Sequence, residues 1–188
     1  MMAKFRFLTL CMLAFAGLTT KMSAQDAKEI VVVLKQNHTY QDPRWDMPVK
    51  LQKGEAITVM DEGGASYGYW PYPAADVSIP KNVTRLPGGA GERYIIINGK
   101  NVRFRKGPST RYGYYCYNSI NTASVYHNQF VADSRKPKTD DWGLKAEWEP
   151  YYLPKGTRLP YLGKQNGFYK TKFNGQVFYV SAQFCRLR

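Results

Sequence analysis

Residues 48–60 read P-V-K-L-Q-K-G-E-A-I-T-V-M, and residues 150–162 read P-Y-Y-L-P-K-G-T-R-L-P-Y-L. Both contain Leu-x-Lys-Gly, at Leu51–Gly54 and Leu153–Gly156, set between apolar positions. Lys-Gly between two apolar arms reads as a tight turn, because glycine takes positive φ without steric cost. Beyond the turn, both stretches continue in the same order. A polar Gly turn comes first, then aromatics (Tyr67, Tyr69 and Trp70 against Phe168 and Tyr169). A short apolar strand comes next, Val77 to Ile79 against Val177 to Val180, and each unit ends in Arg-Leu, at Arg85-Leu86 and Arg186-Leu187. Four features in one order predict a duplicated small β-barrel.

The surrounding chain is of strand type. Ile30 to Leu34 is a β-branched run, Tyr94 to Ile97 and Val102 to Arg105 are short apolar-rich segments, and Asn98-Gly99 between them predicts a hairpin. Phe168 to Phe173, Asn174-Gly175 and Val177 to Val180 predict a second hairpin. No long stretch shows a 3.6-residue period free of Gly and Pro. The predicted class is all-β. Leu86 to Gly91 (L-P-G-G-A-G) is the best linker, so the expected units are residues 28–86 and 92–188 with a linker at 87–91.

The 188 residues carry 27 Lys and Arg against 14 Asp and Glu, a net charge of +13. With 44% hydrophobic and 15% aromatic residues, the chain can build packed cores, and it is too short for a large multidomain enzyme. Residues 1–24 read as a secretory signal peptide. Lys4 and Arg6 form a basic start, Phe7 to Leu18 an apolar run, and Ser23-Ala24 a small-residue cleavage site. The apolar run is short for a membrane span, so no stable transmembrane segment is expected after cleavage. Removal of residues 1–24 leaves 24 basic against 14 acidic side chains, a net +10. The excess favours an anionic partner, and export speaks for a secreted or periplasmic protein and against nucleic acid. The remaining Cys116 and Cys185 enter an oxidising space, where one disulfide and two thiols are both open.

Val102-Arg-Phe-Arg-Lys-Gly-Pro-Ser109, followed by Tyr112, resembles the opening signature of bacterial SH3-like (SH3b) domains, V-N-V-R-x-G-P-S. Leu153-Pro-Lys-Gly-Thr157, Gly167-Phe-Tyr-Lys170 and Asn174-Gly-Gln-Val-Phe-Tyr-Val-Ser181 resemble the family's later motifs, L-x-K-G-T, G-W-Y-K-V and N-G-x-x-G-Y-V. The resemblance covers residues 92–188. Arg103 stands for Asn, Phe168 for Trp and Phe178 for Gly, and the 112–152 connection is far longer than usual. Residues 28–86 resemble the family only through the repeat. The resemblance implies two SH3-like barrels in tandem, the second carrying a long aromatic-rich insertion. It also places that insertion beside the family's ligand groove.

Tyr and Trp crowd residues 112–152, and such side chains suit peptide or sugar recognition. The candidate groove residues are Tyr112, Tyr114, Tyr115, Trp142, Trp148 and Tyr169. No catalytic or metal-ligating set emerges. Cys116 and His127 lack the context of an activated nucleophile. Asp140, Asp141, Glu147 and Glu149 match no metal-loop spacing. No cofactor motif is present. The expected function is an exported, non-catalytic module that binds cell-wall peptide or glycan, or an envelope protein. The alternatives are an assembly protein whose insertion fills its own groove and, more remotely, a cell-wall hydrolase. The oligomeric state stays open.

Overall fold

A computed structural model describes residues 27–42, 46–69, 77–118, 132–135 and 148–188. The predicted signal peptide lies outside them. The first half contributes β1 (Lys28–Leu34), β2 (His38–Asp42), β3 (Met47–Leu51), β4 (Ala56–Asp61), β5 (Ser66–Tyr69), β6 (Val77–Pro80) and β7 (Thr84–Arg85). The second half contributes β8 (Tyr94–Ile97), β9 (Tyr115–Asn118), β10 (Ala132–Asp133), β11 (Trp148–Pro150), β12 (Arg158–Pro160), β13 (Gly163–Gln165), β14 (Phe168–Phe173), β15 (Gln176–Ser181) and β16 (Cys185–Leu187). Two 3-10 turns, Lys81–Val83 and Ala182–Phe184, precede β7 and β16. The protein is all-β. Among the described residues no helix is long and apolar enough to cross a membrane.

One antiparallel sheet runs β6-β5-β4-β1-β7, with the β2-β3 hairpin beside it. The second half forms β12-β8-β16 and β13-β14-β15. In each half a meander ends in a 3-10 turn that returns the chain to pair with the half's first strand.

The repeat is reproduced bond for bond. Leu34 N–H donates to Glu55 O (2.9 Å) and Gly54 N–H to Leu34 O (2.8 Å); Ile97 N–H donates to Thr157 O (3.0 Å) and Gly156 N–H to Ile97 O (2.7 Å). Glu55 N–H to Gln52 O and Thr157 N–H to Pro154 O close the two Lys-Gly turns, where Gly54 and Gly156 have φ of 83° and 90°. Lys35 and Asn98 N–H each donate to the last residue of a 3-10 turn, Val83 and Phe184.

One expected feature takes another form. Val102–Arg105 does not pair with β8 as a hairpin. Both edges of β8 are occupied by β12 and β16, and Asn98 and Gly99 N–H donate to Phe184 O instead. Val102 and Phe104 still face inward, and Arg105 forms isolated bridges to Tyr114 and Tyr179. The 112–152 insertion contains the three-stranded sheet β10-β9-β11 within its described part. The Tyr-Tyr-Cys-Tyr run at its start favours extended backbone.

The halves share a core. Val32 and Leu34 of β1 face the first half's own cluster with Leu51, Ile57 and Ile79. Val31 and Val33, with Ala56, join the second half's Ile95, Phe104, Phe173 and Phe178. A run apolar at every position, as Ile30–Leu34 of β1 is, is what burial on both faces requires. Asn174, at φ 48° in the β14–β15 turn, docks onto β4. Its Oδ1 accepts from Thr58 N–H (2.7 Å), its Nδ2 donates to Thr58 Oγ1 (2.5 Å), and its backbone N–H donates to Ala56 O (2.8 Å). At the linker, Arg85 grips both carboxylate oxygens of Glu92 at 2.6 Å, which holds that carboxyl below its ordinary range.

A further cross-link joins β1 to the end of the insertion. Tyr151 Oη donates to Glu29 Oε1 at 2.8 Å. Each residue keeps part of its surface in solvent, but the carboxyl and hydroxyl that meet are desolvated. Burial raises the Glu29 carboxyl from 4.5 to about 7, against the lowering effect of the Tyr151 bond. The unfolded chain therefore loses this proton at lower pH than the folded one. Stability from this group is fully present below pH 4.5 and falls as pH rises toward 7, by on the order of 3 kcal/mol. Glu29→Gln keeps an oxygen for Tyr151 and cannot ionise. Urea unfolding should find the variant equal to wild type near pH 4.5 and more stable by that margin at pH 8. Parallel profiles would remove the assignment.

Candidate functional site

The G-P-S loop organises one side of the second half. Ser109 N–H donates to Gly107 O (2.9 Å), and Ser109 Oγ accepts from Arg111 N–H (3.2 Å). The absence of a side chain at Gly107 lets the Tyr112 ring pack over it, where a Cβ would stand 2.6 Å from the ring. Arg105 ties the loop together by donating to Thr110 O (3.1 Å) and Tyr112 O (2.7 Å), while its backbone exchanges two 2.9 Å bonds with Tyr179.

Alternation decides what this segment presents. Val102 and Phe104 are buried, so Arg103 and Arg105 point outward. Both guanidiniums lie over the Tyr114 ring, at 4.5 and 5.8 Å from its centroid. Burial, and then the charge of Arg103, lower the pKa of Arg105. Two like charges held this close gain from an arriving anion.

Beside them lies a groove of about 420 Å³. Lys100, Arg103 and Arg105 supply cations, Tyr152, Phe168 and Phe184 supply aromatic walls, and Ser181 and Gln183 add polar atoms. Phe184 is 47% exposed, a large apolar face left open to solvent. Among the described residues, 93–118 and 150–188 contain no aspartate or glutamate, so no acid from those stretches offsets the cations.

The expected site residues scatter around this groove. Tyr114 stands at its rim under Arg103. Tyr112, 46% exposed, covers Gly107 and offers its carbonyl to Arg105. Tyr115 lies in the core, 8% exposed, with its ring 4.6 Å from that of Phe178. Tyr169 packs against the core and meets Tyr161 edge-on at 5.8 Å, away from the groove lining. Trp148 is in β11, paired with Asn118. Trp142 and His127 lie outside the described residues. Cys116 and Cys185 do not form the disulfide that was open to them. The Cys116 thiol donates to Tyr114 O (3.8 Å) in β9, and Cys185 remains a thiol in β16, which burial pushes up to about 12.

Sequence reasoning passed over Lys100, Arg103, Arg105, Phe168 and Phe184. Phe168 had a signal, since it occupies the aromatic position of the G-F-Y-K motif. Phe184 had none, being one apolar residue in a short turn.

Fold and groove together define an all-β protein with an internally repeated plan and one cationic, aromatic-walled groove in its second half. The chain matches no protein-family model and no curated protein.

Proposed function

We propose that this is an exported, non-catalytic binding module of two SH3-like barrels in tandem, the second taking cell-wall peptide or glycan, or an envelope protein, in its groove. The observation that carries the reading is the groove itself, where Lys100, Arg103 and Arg105 meet Tyr152, Phe168 and Phe184. Aromatic faces stack on sugar or apolar side chains, and the cations take carboxylates of wall peptides. The three matched pairs of bonds at the two Lys-Gly turns support the duplication. The signature of residues 102–109 supports the barrel family. Binding of this kind needs no cofactor, and a thiol as basic as Cys185 is a poor nucleophile. Tyr114, stacked on Arg103, is the observation that favours the second reading, an assembly protein with a self-occluded groove.

Co-sedimentation with purified wall sacculi at about 0.15 M salt tests the proposal. Wild type is expected in the pellet. Lys100→Gln/Arg103→Gln should lower retention by about fivefold, the effect of roughly 1 kcal/mol lost from two rim cations. A wild-type protein that stays in solution, or a variant retained equally, overturns the cell-wall version.

A further inference from the structure

A second cationic surface is built from residues that do not line the groove. The described stretches 93–118 and 150–188 hold six and seven lysines and arginines, with no acid in either. The sheet β12-β8-β16 gathers part of this charge on one face. Arg158 pairs with Ile96, and Ile96 with Arg186. Arg188 exchanges two 2.9 Å backbone bonds with Tyr94. Ile95, Ile97 and Leu159 are buried in the core, so alternation puts Tyr94, Ile96, Arg158, Arg186 and Arg188 on the outer face. Arg186 and Arg188 are exposed, and the Arg158 guanidinium lies 5.1 Å from the centre of the Tyr94 ring. Glu92, the acid in the adjoining turn, is already held by Arg85.

We propose that this face binds a soluble polymer of phosphate groups, as a site separate from the groove. Guanidinium forks match phosphate oxygens in two-point contact. Arg158 and Arg186 flank Ile96 across two strand spacings, about 10 Å, with Arg188 on the next row. A lone anion would engage one of these cations, whereas a chain of repeated anions engages all three. Ile96, half-buried between Arg158 and Arg186, leaves an apolar strip between these charges, while the Tyr94 ring packs under Gly88 and beside Arg158.

Inorganic polyphosphate of several tens of units is the probe, read by competition anisotropy. Wild type should bind, and Arg186→Gln/Arg188→Gln should bind about tenfold more weakly, with a salt slope smaller by about two. Lys50→Gln/Lys53→Gln removes the same charge from exposed positions of the first half and should cost less than about twofold. Both pairs lie at the surface, and unchanged circular dichroism confirms that each variant is folded. Equal losses in the two pairs, a larger loss in Lys100→Gln/Arg103→Gln, or binding confined to anionic lipid vesicles would overturn the proposal. Sacculus retention of Arg186→Gln/Arg188→Gln should match wild type, so failure here is distinct from failure of the groove reading.

Discussion

Phe178→Ala is expected to lower the unfolding free energy by about 3–5 kcal/mol. Phe178 is fully buried, stacks on Phe173 at 4.2 Å and 12°, and meets Phe104 edge-on at 5.5 Å. Tyr115 closes the cluster from the insertion at 4.6 Å. Removing the ring leaves a void bordered by other rings and by β-sheet, neither of which collapses readily. Single domains have about 5–15 kcal/mol in all, so the variant should be close to unfolding at ambient temperature. Urea denaturation followed by tryptophan fluorescence measures the loss. A cost below about 1 kcal/mol would mean that the side chain is not at the centre of the core. The Phe178 ring joins Phe104, Phe173 and Tyr115 into one aromatic cluster.

Asn174→Ala is expected to cost about 3–4 kcal/mol and to loosen one half from the other. Two separate effects add. Alanine at φ 48° sits in the left-handed region, which asparagine tolerates better. The side-chain bonds to Thr58 N–H and Thr58 Oγ1 are also lost, leaving strand groups of β4 without those partners. Asn174→Gly separates the contributions, since glycine keeps the backbone conformation and loses only the side-chain bonds. It should fall about midway between wild type and alanine. Because Val31, Val33 and Ala56 belong to the second half's core, wild type should unfold in one transition, while Asn174→Ala should begin to separate into two. Two transitions in wild type would contradict the shared core.

Much of the fold was legible. Leu-x-Lys-Gly marked two turns that proved equivalent in φ and in hydrogen bonding, because few residues besides glycine serve such a turn. Ile30 to Leu34 read as a strand, but a run with no polar face does not say what covers its second side. Asn174 read as a turn former, and nothing local marks a turn amide that also docks on another strand. Asn98-Gly99 predicted a hairpin on turn chemistry alone, and that rule yields where both edges of a strand are already taken. The groove was less legible than the fold. Aromatic density drew attention to the insertion, yet Tyr115 serves the core and the described groove walls come mostly from motif strands and the second 3-10 turn. Composition records how many rings a segment has. Which of them face solvent depends on strand pairing between residues far apart in sequence.

The most direct test of the binding account is an NMR titration of the protein with a soluble wall muropeptide. The account predicts that the largest amide and side-chain shifts fall on Lys100, Arg103, Arg105, Tyr152, Phe168 and Phe184. A spectrum unchanged at saturating muropeptide, or shifts confined to residues 28–86, would contradict it.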